Sequence, residues 1–339
     1  MENIPWPARI RLANTPTPLE MLPRLSEKYG VEMYLKRDDY TGMELSGNKV
    51  RKLEFSFAEA IGEHADTVLT CGGAQSNHAR ATAVAAARLG MKSRLILRTS
   101  DPSNPPPAEG NILLDRMVGA EIRWITPEAY KNREEIFARE VESLRQAGRK
   151  GYVIPEGASN AIGAWGYIRA VEEIAGDIRA LPGGTDRPFT IVNAAGSGGT
   201  TAGLILGVKL MGLNARVVSV NVCDNRDYFI NVIGEICEET IARHNLALPF
   251  SRETDIEITD GYVGRGYALS SPEELRFIRD IAVAEGFILD PVYTGKAFYG
   301  MTQELEKNPR AFGDRIVFIH TGGLFGLFPK AQEIEAALF

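Results

Sequence analysis

The chain has little of what marks several large classes of protein. Its 339 residues include three cysteines, Cys71, Cys223 and Cys237, and none stand in C-x-x-C spacing. An odd, dispersed set argues against a disulfide framework or a zinc site, and no metal is expected; buried reduced thiols are the simpler reading. No apolar run approaches the length that crosses a bilayer. The opening stretch, MENIPWPARIRLANTPTPLE, has no apolar core of signal length, so a soluble, cytoplasmic protein without membrane contact is expected. Blocks of lysine and arginine are also missing. With a net charge of −6, nucleic acid is not an expected partner.

What is present is an ordinary globular composition, 44% hydrophobic and 24% charged, on a chain long enough for two domains sharing a cleft. Short β-branched runs alternate with longer helical patterns. Strands are expected at 32–37, 67–71, 92–98, 121–125, 151–155, 189–195, 216–222 and 315–320. Helices are expected at 48–64, 77–90, 107–119, 127–148, 161–177, 200–212, 227–246, 271–285 and 295–307. This alternation implies α/β architecture with parallel sheets covered on both faces. There are too many strands for one small sheet, which favours two α/β units. The loop-rich segments 155–167 and 181–189 are candidate boundaries.

The best local signal is FTIVNAAGSGGTTAGL (189–204): a strand, a glycine-rich turn, then a helix. Gly196, Gly198 and Gly199 permit backbone geometry that other residues resist. Ser197, Thr200 and Thr201 add hydroxyls, and N–H groups at a helix start favour an anion such as phosphate. The spacing matches neither a Walker loop nor G-x-G-x-x-G. Close helix–sheet packing alone would also account for the glycines.

Lys49 follows Ser46-Gly47-Asn48 at a loop-to-helix junction. Displayed beside a buried cleft, it could form a Schiff base with an aldehyde cofactor. The adjacent charges of Arg51 and Lys52 would help keep one lysine neutral. Downstream, Gly72-Gly73 end a strand and Gln75-Ser76-Asn77-His78 open a helix. Ser76 or Asn77 suits the N-cap. The same helix start would seat a substrate carboxylate, with His78 a further substrate-facing candidate beside its plainer structural role.

These motifs, with TPTPLEMLPRLSE, YLKRDDYTGMELSGNKVRKLEF, DPVYTGKAFYGM and HTGGLFGLF in the same order, resemble the D-cysteine desulfhydrase and 1-aminocyclopropane-1-carboxylate (ACC) deaminase group. These are fold-type II, tryptophan-synthase-β-like enzymes of pyridoxal 5'-phosphate (PLP). The resemblance runs from about Thr15 to Phe328. It implies a larger phosphate-binding domain from 1–51 and 163–339, and a smaller α/β domain over 52–162. Lys49 resembles the lysine that tethers PLP and moves the α-proton. Asn77 is similar to the asparagine on the cofactor's ring oxygen, and Ser76 to the serine near the substrate carboxylate. Ser197, Gly198, Gly199, Thr200 and Thr201 match the phosphate cup. Tyr293 resembles an active-site tyrosine, and Tyr262 a second. A homodimer acting on a small amino acid is also implied.

Within that group, Thr294 stands where ACC deaminases usually carry glutamate and Thr321 where they carry leucine. QSNH replaces their usual QSNQ. A carboxylate beside the pyridine nitrogen would favour its protonated form and make the ring a strong electron sink. A threonine hydroxyl can donate to an unprotonated nitrogen. That weaker sink suits β-elimination, in which a good leaving group departs. D-cysteine, giving pyruvate, sulfide and ammonia, is therefore the expected substrate. L-cysteate, ACC and a catalytically silent PLP-binding role are the alternatives. Arg265, in GYVGRGYA, is a candidate for recognising a sulfonate, if it is not simply an exposed loop arginine.

Overall fold

The computed structural model describes residues 4–338. Its strands form two sheets. Chain order runs β1 (Leu19–Met21), β2 (Glu32–Lys36), β3 (Thr67–Gly73), β4 (Lys92–Arg98), β5 (Glu121–Ile125), β6 (Gly151–Val153), β7 (Phe189–Ala195), β8 (Ala215–Asn221), β9 (Glu257–Thr259) and β10 (Arg315–Ile319). The larger sheet has the order β1-β2-β10-β7-β8-β9, and the smaller β5-β4-β3-β6. All pairings are parallel except β1 with β2. The fold is α/β with helices over mostly parallel sheets, as the alternation of elements implies.

Period-two alternation sorts the larger sheet's side chains onto two apolar faces. On β7 and β10, Phe189, Ile191, Val317 and Ile319 enter one cluster. Val192, Ala194, Ile316 and Phe318 enter the other. Both faces are buried, so every residue of β7 is buried, Thr190 and Asn193 included, and no exposed face alternates with a buried one.

The helix Gly199–Leu210 lies against the helix Ala161–Arg179 at very close range. A Cβ on Gly203 would fall 2.3 Å from the Ala164 carbonyl oxygen, and one on Gly207 2.8 Å from the Val171 side chain. This close packing joins helix to helix rather than helix to sheet, and it falls on Gly203 and Gly207, one and two turns beyond the loop.

Some expectations need amendment. β1 and β9 have three residues each, too short to show a period. The helix expected over 127–148 is two, Pro127–Lys131 and Arg133–Gln146, separated at Asn132, whose φ and ψ of −101° and 31° leave the helical region. The helices Pro23–Tyr29 and Ala331–Leu338 were not anticipated. No helix among the described residues is long and apolar enough to cross a membrane.

The carboxyl ends of β3, β4, β7 and β10 lead into one cavity of about 650 Å³, lined among others by Ser76, Arg98, Gly196 and Thr321. The loops at that end of parallel strands are where α/β folds place ligands.

Candidate active site

The glycine turn after β7 forms one end of this cavity. Gly198 has φ of +81°, in the left-handed region that favours glycine, and caps the helix Gly199–Leu210. Ser197, Gly198, Thr200 and Thr201 line the cavity, and Gly199 lies just behind. A second serine completes the turn: Ser159 Oγ is 2.8 Å from Ser197 Oγ and accepts from the Gly199 N–H at 3.3 Å. A Cβ on Gly199 would lie 2.8 Å from the Ser159 Cα, so only glycine fits there. Asn48 Nδ2 donates to Thr200 Oγ1 at 3.1 Å. Thr201 faces inward as well, its hydroxyl held by Asn193 Nδ2 and Ser219.

Lys49 and Lys52 begin the helix Lys49–Gly62. Three residues apart, they share a helix face. Burial pulls the Lys49 ammonium down to about 8, against Glu156 and Asp290, which favour its charge. Its surface still opens into the cavity. Lys52 is fully buried, and burial followed by the Lys49 charge pulls it well below the usual lysine range. Its Nζ reaches Ser159 Oγ at 3.5 Å, and no carboxylate among the described residues pairs with it. Arg51 plays no such part. Its guanidinium is spent on Asp38 and Glu173, and Lys52 does not lower Lys49 either, since its amine bonds Lys49 and favours that residue's charge. A buried amine without a carboxylate partner, which an arriving anion would help to protonate, stands beside a helix start and two serine hydroxyls and makes a place for an anion.

The opposite wall is the helix Asn77–Arg88. Ser76 is its N-cap, Oγ accepting from Ala79 N at 3.1 Å. A Cβ on Gly72 would lie 2.5 Å from that Oγ, which explains the glycine at the strand's end. Asn77 Oδ1 accepts from Asn111 Nδ2 at 3.0 Å, which leaves its own amide N–H groups for the cavity. Asn111 is fixed in turn by Gln75 and by Arg80 Nε. His78 also lines the cavity. The Thr70 hydroxyl donates to the Ile154 carbonyl, so the 2.8 Å contact makes His78 Nε2 the donor to Thr70. Burial, then Lys49 and Lys52, keep this histidine neutral.

Tyr293 closes the site with a partner the sequence reading passed over. Its hydroxyl lies 2.6 Å from that of Tyr267, and the rings meet edge to face at 6.0 Å. Burial raises both phenols above their ordinary value. Tyr267 is five residues beyond Tyr262 in the same DGYVGRGYA segment. Lys296 holds that loop, donating to the carbonyls of Val263 and Gly266 at 2.6 and 2.7 Å.

Three candidates lie elsewhere. Tyr262 packs outside the cavity, its hydroxyl bonded to Glu304 and to Lys307 Nζ. Arg265 is exposed and does not line the cavity. Thr294 is buried, with Oγ1 donating to Asp290 Oδ1 at 2.7 Å and accepting from Asp290 N at 2.8 Å, so its hydroxyl is already committed. Thr321 does line the cavity. Ser159, Glu156, Arg98, Tyr130 and Arg133 line it too, from segments without a motif. For Ser159 and Glu156 the only sequence signal was the loop character of 155–167, and the other three lay in segments read simply as strand and helix.

A lysine lowered to about 8, a cup of hydroxyls and helix-start N–H groups beside a buried second lysine, and an amide free to bond a ring oxygen are the features that PLP needs, here on a two-sheet α/β fold. The residues present fit that cofactor. The match to known proteins agrees. Residues 10–322 match the model for the pyridoxal-phosphate dependent enzyme family, and the chain belongs to that family, with PLP as its cofactor. It is 46% identical over 335 residues to the bifunctional D-cysteine desulfhydrase/1-aminocyclopropane-1-carboxylate deaminase, mitochondrial, of Arabidopsis thaliana, covering 96% of this chain and 81% of that one. It is 35% identical to the D-cysteine desulfhydrase of Klebsiella pneumoniae, covering 97% and 98%. A crystal structure described as an ACC deaminase homologue superposes with a TM-score of 0.86 at 37% identity, over 98% of this chain and 97% of that one.

Proposed function

We propose that this enzyme is a β-elimination lyase acting on a small amino acid, with D-cysteine going to pyruvate, sulfide and ammonia as the leading reaction. The observation that carries this is the Lys49–Lys52 pair: one lysine near neutrality facing the cavity, the other buried against the cup. Bound PLP supplies an aldehyde for amine exchange and a ring that accepts electron density from Cα. Lys49 would tether the aldehyde and, once displaced by substrate amine, take the α-proton. Lys52, Ser159, Ser197 and the N–H groups behind Gly198 would hold the phosphate. Asn77 would bond the ring oxygen, and Ser76 with its helix start would seat the substrate carboxylate. The neutral phenols of Tyr293 and Tyr267 would donate a hydrogen bond over the reacting carbons.

Thr321 supports elimination over ring opening, since it offers the cofactor a hydroxyl and no charge. The relatives named above point to both D-cysteine and ACC. The test is a product screen of the holoenzyme on D-cysteine, L-cysteine, L-cysteate, 3-chloroalanine and ACC. D-cysteine should release pyruvate and sulfide. Release of 2-oxobutanoate from ACC without pyruvate from D-cysteine would overturn the assignment. We also propose that 52–162 forms the smaller domain. Support comes from the four-stranded sheet, whose strands all fall between Thr67 and Val153. A cytoplasmic homodimer remains part of the same proposal.

A further inference from the structure

The cavity extends beyond what a cofactor and a three-carbon amino acid need. Its outer wall is built by Arg98 at the end of β4, Tyr130 and Lys131 of the helix Pro127–Lys131, and Arg133, Glu134 and Phe137 of the next helix. The Arg98 guanidinium carbon lies 4.5 Å from the Tyr130 ring centre and 5.2 Å from that of Tyr267, a cation over two aromatic rings. Among the described residues no carboxylate pairs with it. Glu156, in the turn between β6 and the helix Ala161–Arg179, lines the same cavity. Its side chain has neither ion pair nor hydrogen bond among the described residues, and its charge favours that of Lys49 as well.

The two feel each other without touching. Burial opposes the Arg98 charge, and Glu156 is the strongest of the groups that restore and raise it. Partly buried charges held apart and left unpaired are costly unless a ligand meets them. A side chain ending in an anion alone would satisfy Arg98 and be repelled by Glu156. A cationic end would do the reverse. A group carrying an ammonium and a carboxylate a few ångströms apart satisfies both.

We propose that Arg98 and Glu156 form a side-chain subsite for an amino acid whose β-sulfur bears a second amino-acid zwitterion, a thioether joining two such units. Arg98 holds the distal carboxylate and Glu156 the distal ammonium. This rests on the lyase reading above. Lys49 takes the Cα proton, and the Cβ–S bond breaks with its electron pair on sulfur. The sulfur gains a proton and leaves as a free amino thiol. The three-carbon enamine left behind is hydrolysed by water to pyruvate and ammonia.

The test compares lanthionine (distal zwitterion), S-carboxymethylcysteine (distal anion), S-(2-aminoethyl)cysteine (distal cation) and cysteine, in both α-configurations. Pyruvate release is measured beside equilibrium binding, read from the cofactor's visible absorbance. Lanthionine should have the highest kcat/KM. Its ratio to cysteine should fall roughly tenfold to a hundredfold in Arg98→Gln and in Glu156→Gln, the usual cost of losing a charged hydrogen bond. Glu156→Gln should also raise S-carboxymethylcysteine relative to lanthionine. If cysteine outperforms every thioether, or both variants lower all substrates equally, the subsite is refuted while the lyase reading stands. If no compound yields pyruvate, the lyase reading fails, and the subsite survives only if lanthionine binds the parent enzyme and binds both variants at least tenfold more weakly.

Discussion

The two ends of the cavity are built on opposite plans. At the inner end nearly every polar group is committed. Ser197, Ser159, Thr200 and Thr201 bond one another or neighbouring amides, and Lys52 reaches Ser159. At the outer end the charge of Arg98 has no ion pair among the described residues, and aromatic rings do the holding. The inner plan suits a cofactor that stays and must always sit the same way. The outer plan suits a partner that comes and goes, because charges already satisfied within the protein would offer it nothing.

Replacing the inner lysine should break this division most severely. Lys49→Ala should lower turnover by about 10²–10⁴-fold, the range for loss of a positioned base, and remove the visible absorbance of a lysine-tethered aldehyde. Retention of both would remove Lys49 from the chemistry. Next in size, Lys52→Met should weaken PLP binding roughly tenfold to a hundredfold, measured by equilibrium dialysis, with phosphate-free pyridoxal binding much less affected.

The pH dependence sharpens the same contrast. Only the neutral amine attacks an aldehyde, and Lys49 is pulled down to about 8. Capture of PLP by cofactor-free protein should therefore quicken as pH rises, reach half its maximum near pH 8 and level off above. A rate still climbing at pH 10 would show an ordinary lysine. The folded state binds this proton less readily than the unfolded chain, so this residue's contribution makes stability rise with pH between about 8 and the ordinary lysine value of 10.5, and no further above it. Smaller again, Gly203→Ala should cost about 1–3 kcal/mol in urea unfolding through overpacking against Ala164. Smallest of all, Tyr262→Phe should leave kcat/KM within about twofold, as expected for a surface hydroxyl.

The inner end was far more legible in the sequence than the outer. A cup must follow a strand and start a helix, so its glycines and hydroxyls fall within one short segment, Ser197–Thr201. Lys49 and Lys52 share a helical turn. Asn77 and Ser76 share another. Tyr267 was missed because two tyrosines five apart flank a glycine-rich loop, and only its staple to Lys296 decides which turns inward. Thr294 looked available because no sequence pattern reveals that Asp290, four residues earlier, takes its hydroxyl. Arg98, Tyr130 and Glu156 come from three separated elements, and only the parallel order of β5, β4, β3 and β6 brings their ends to one place. Arg265 drew notice as the arginine beside a motif, whereas the arginine in the cavity stands at the end of a strand.

The close glycine contact between the helices Gly199–Leu210 and Ala161–Arg179 has a mechanical meaning. The first helix carries Ser197 and Gly198 at its start. The second begins two residues after Ser159, which spans the cup. Locked backbone to backbone at Gly203, the two move as one rigid piece, and the grip on phosphate travels with them. The smaller sheet, which carries Arg98, is seated elsewhere. A shift between the sheets would therefore widen or narrow the entrance while leaving the anchor's dimensions unchanged.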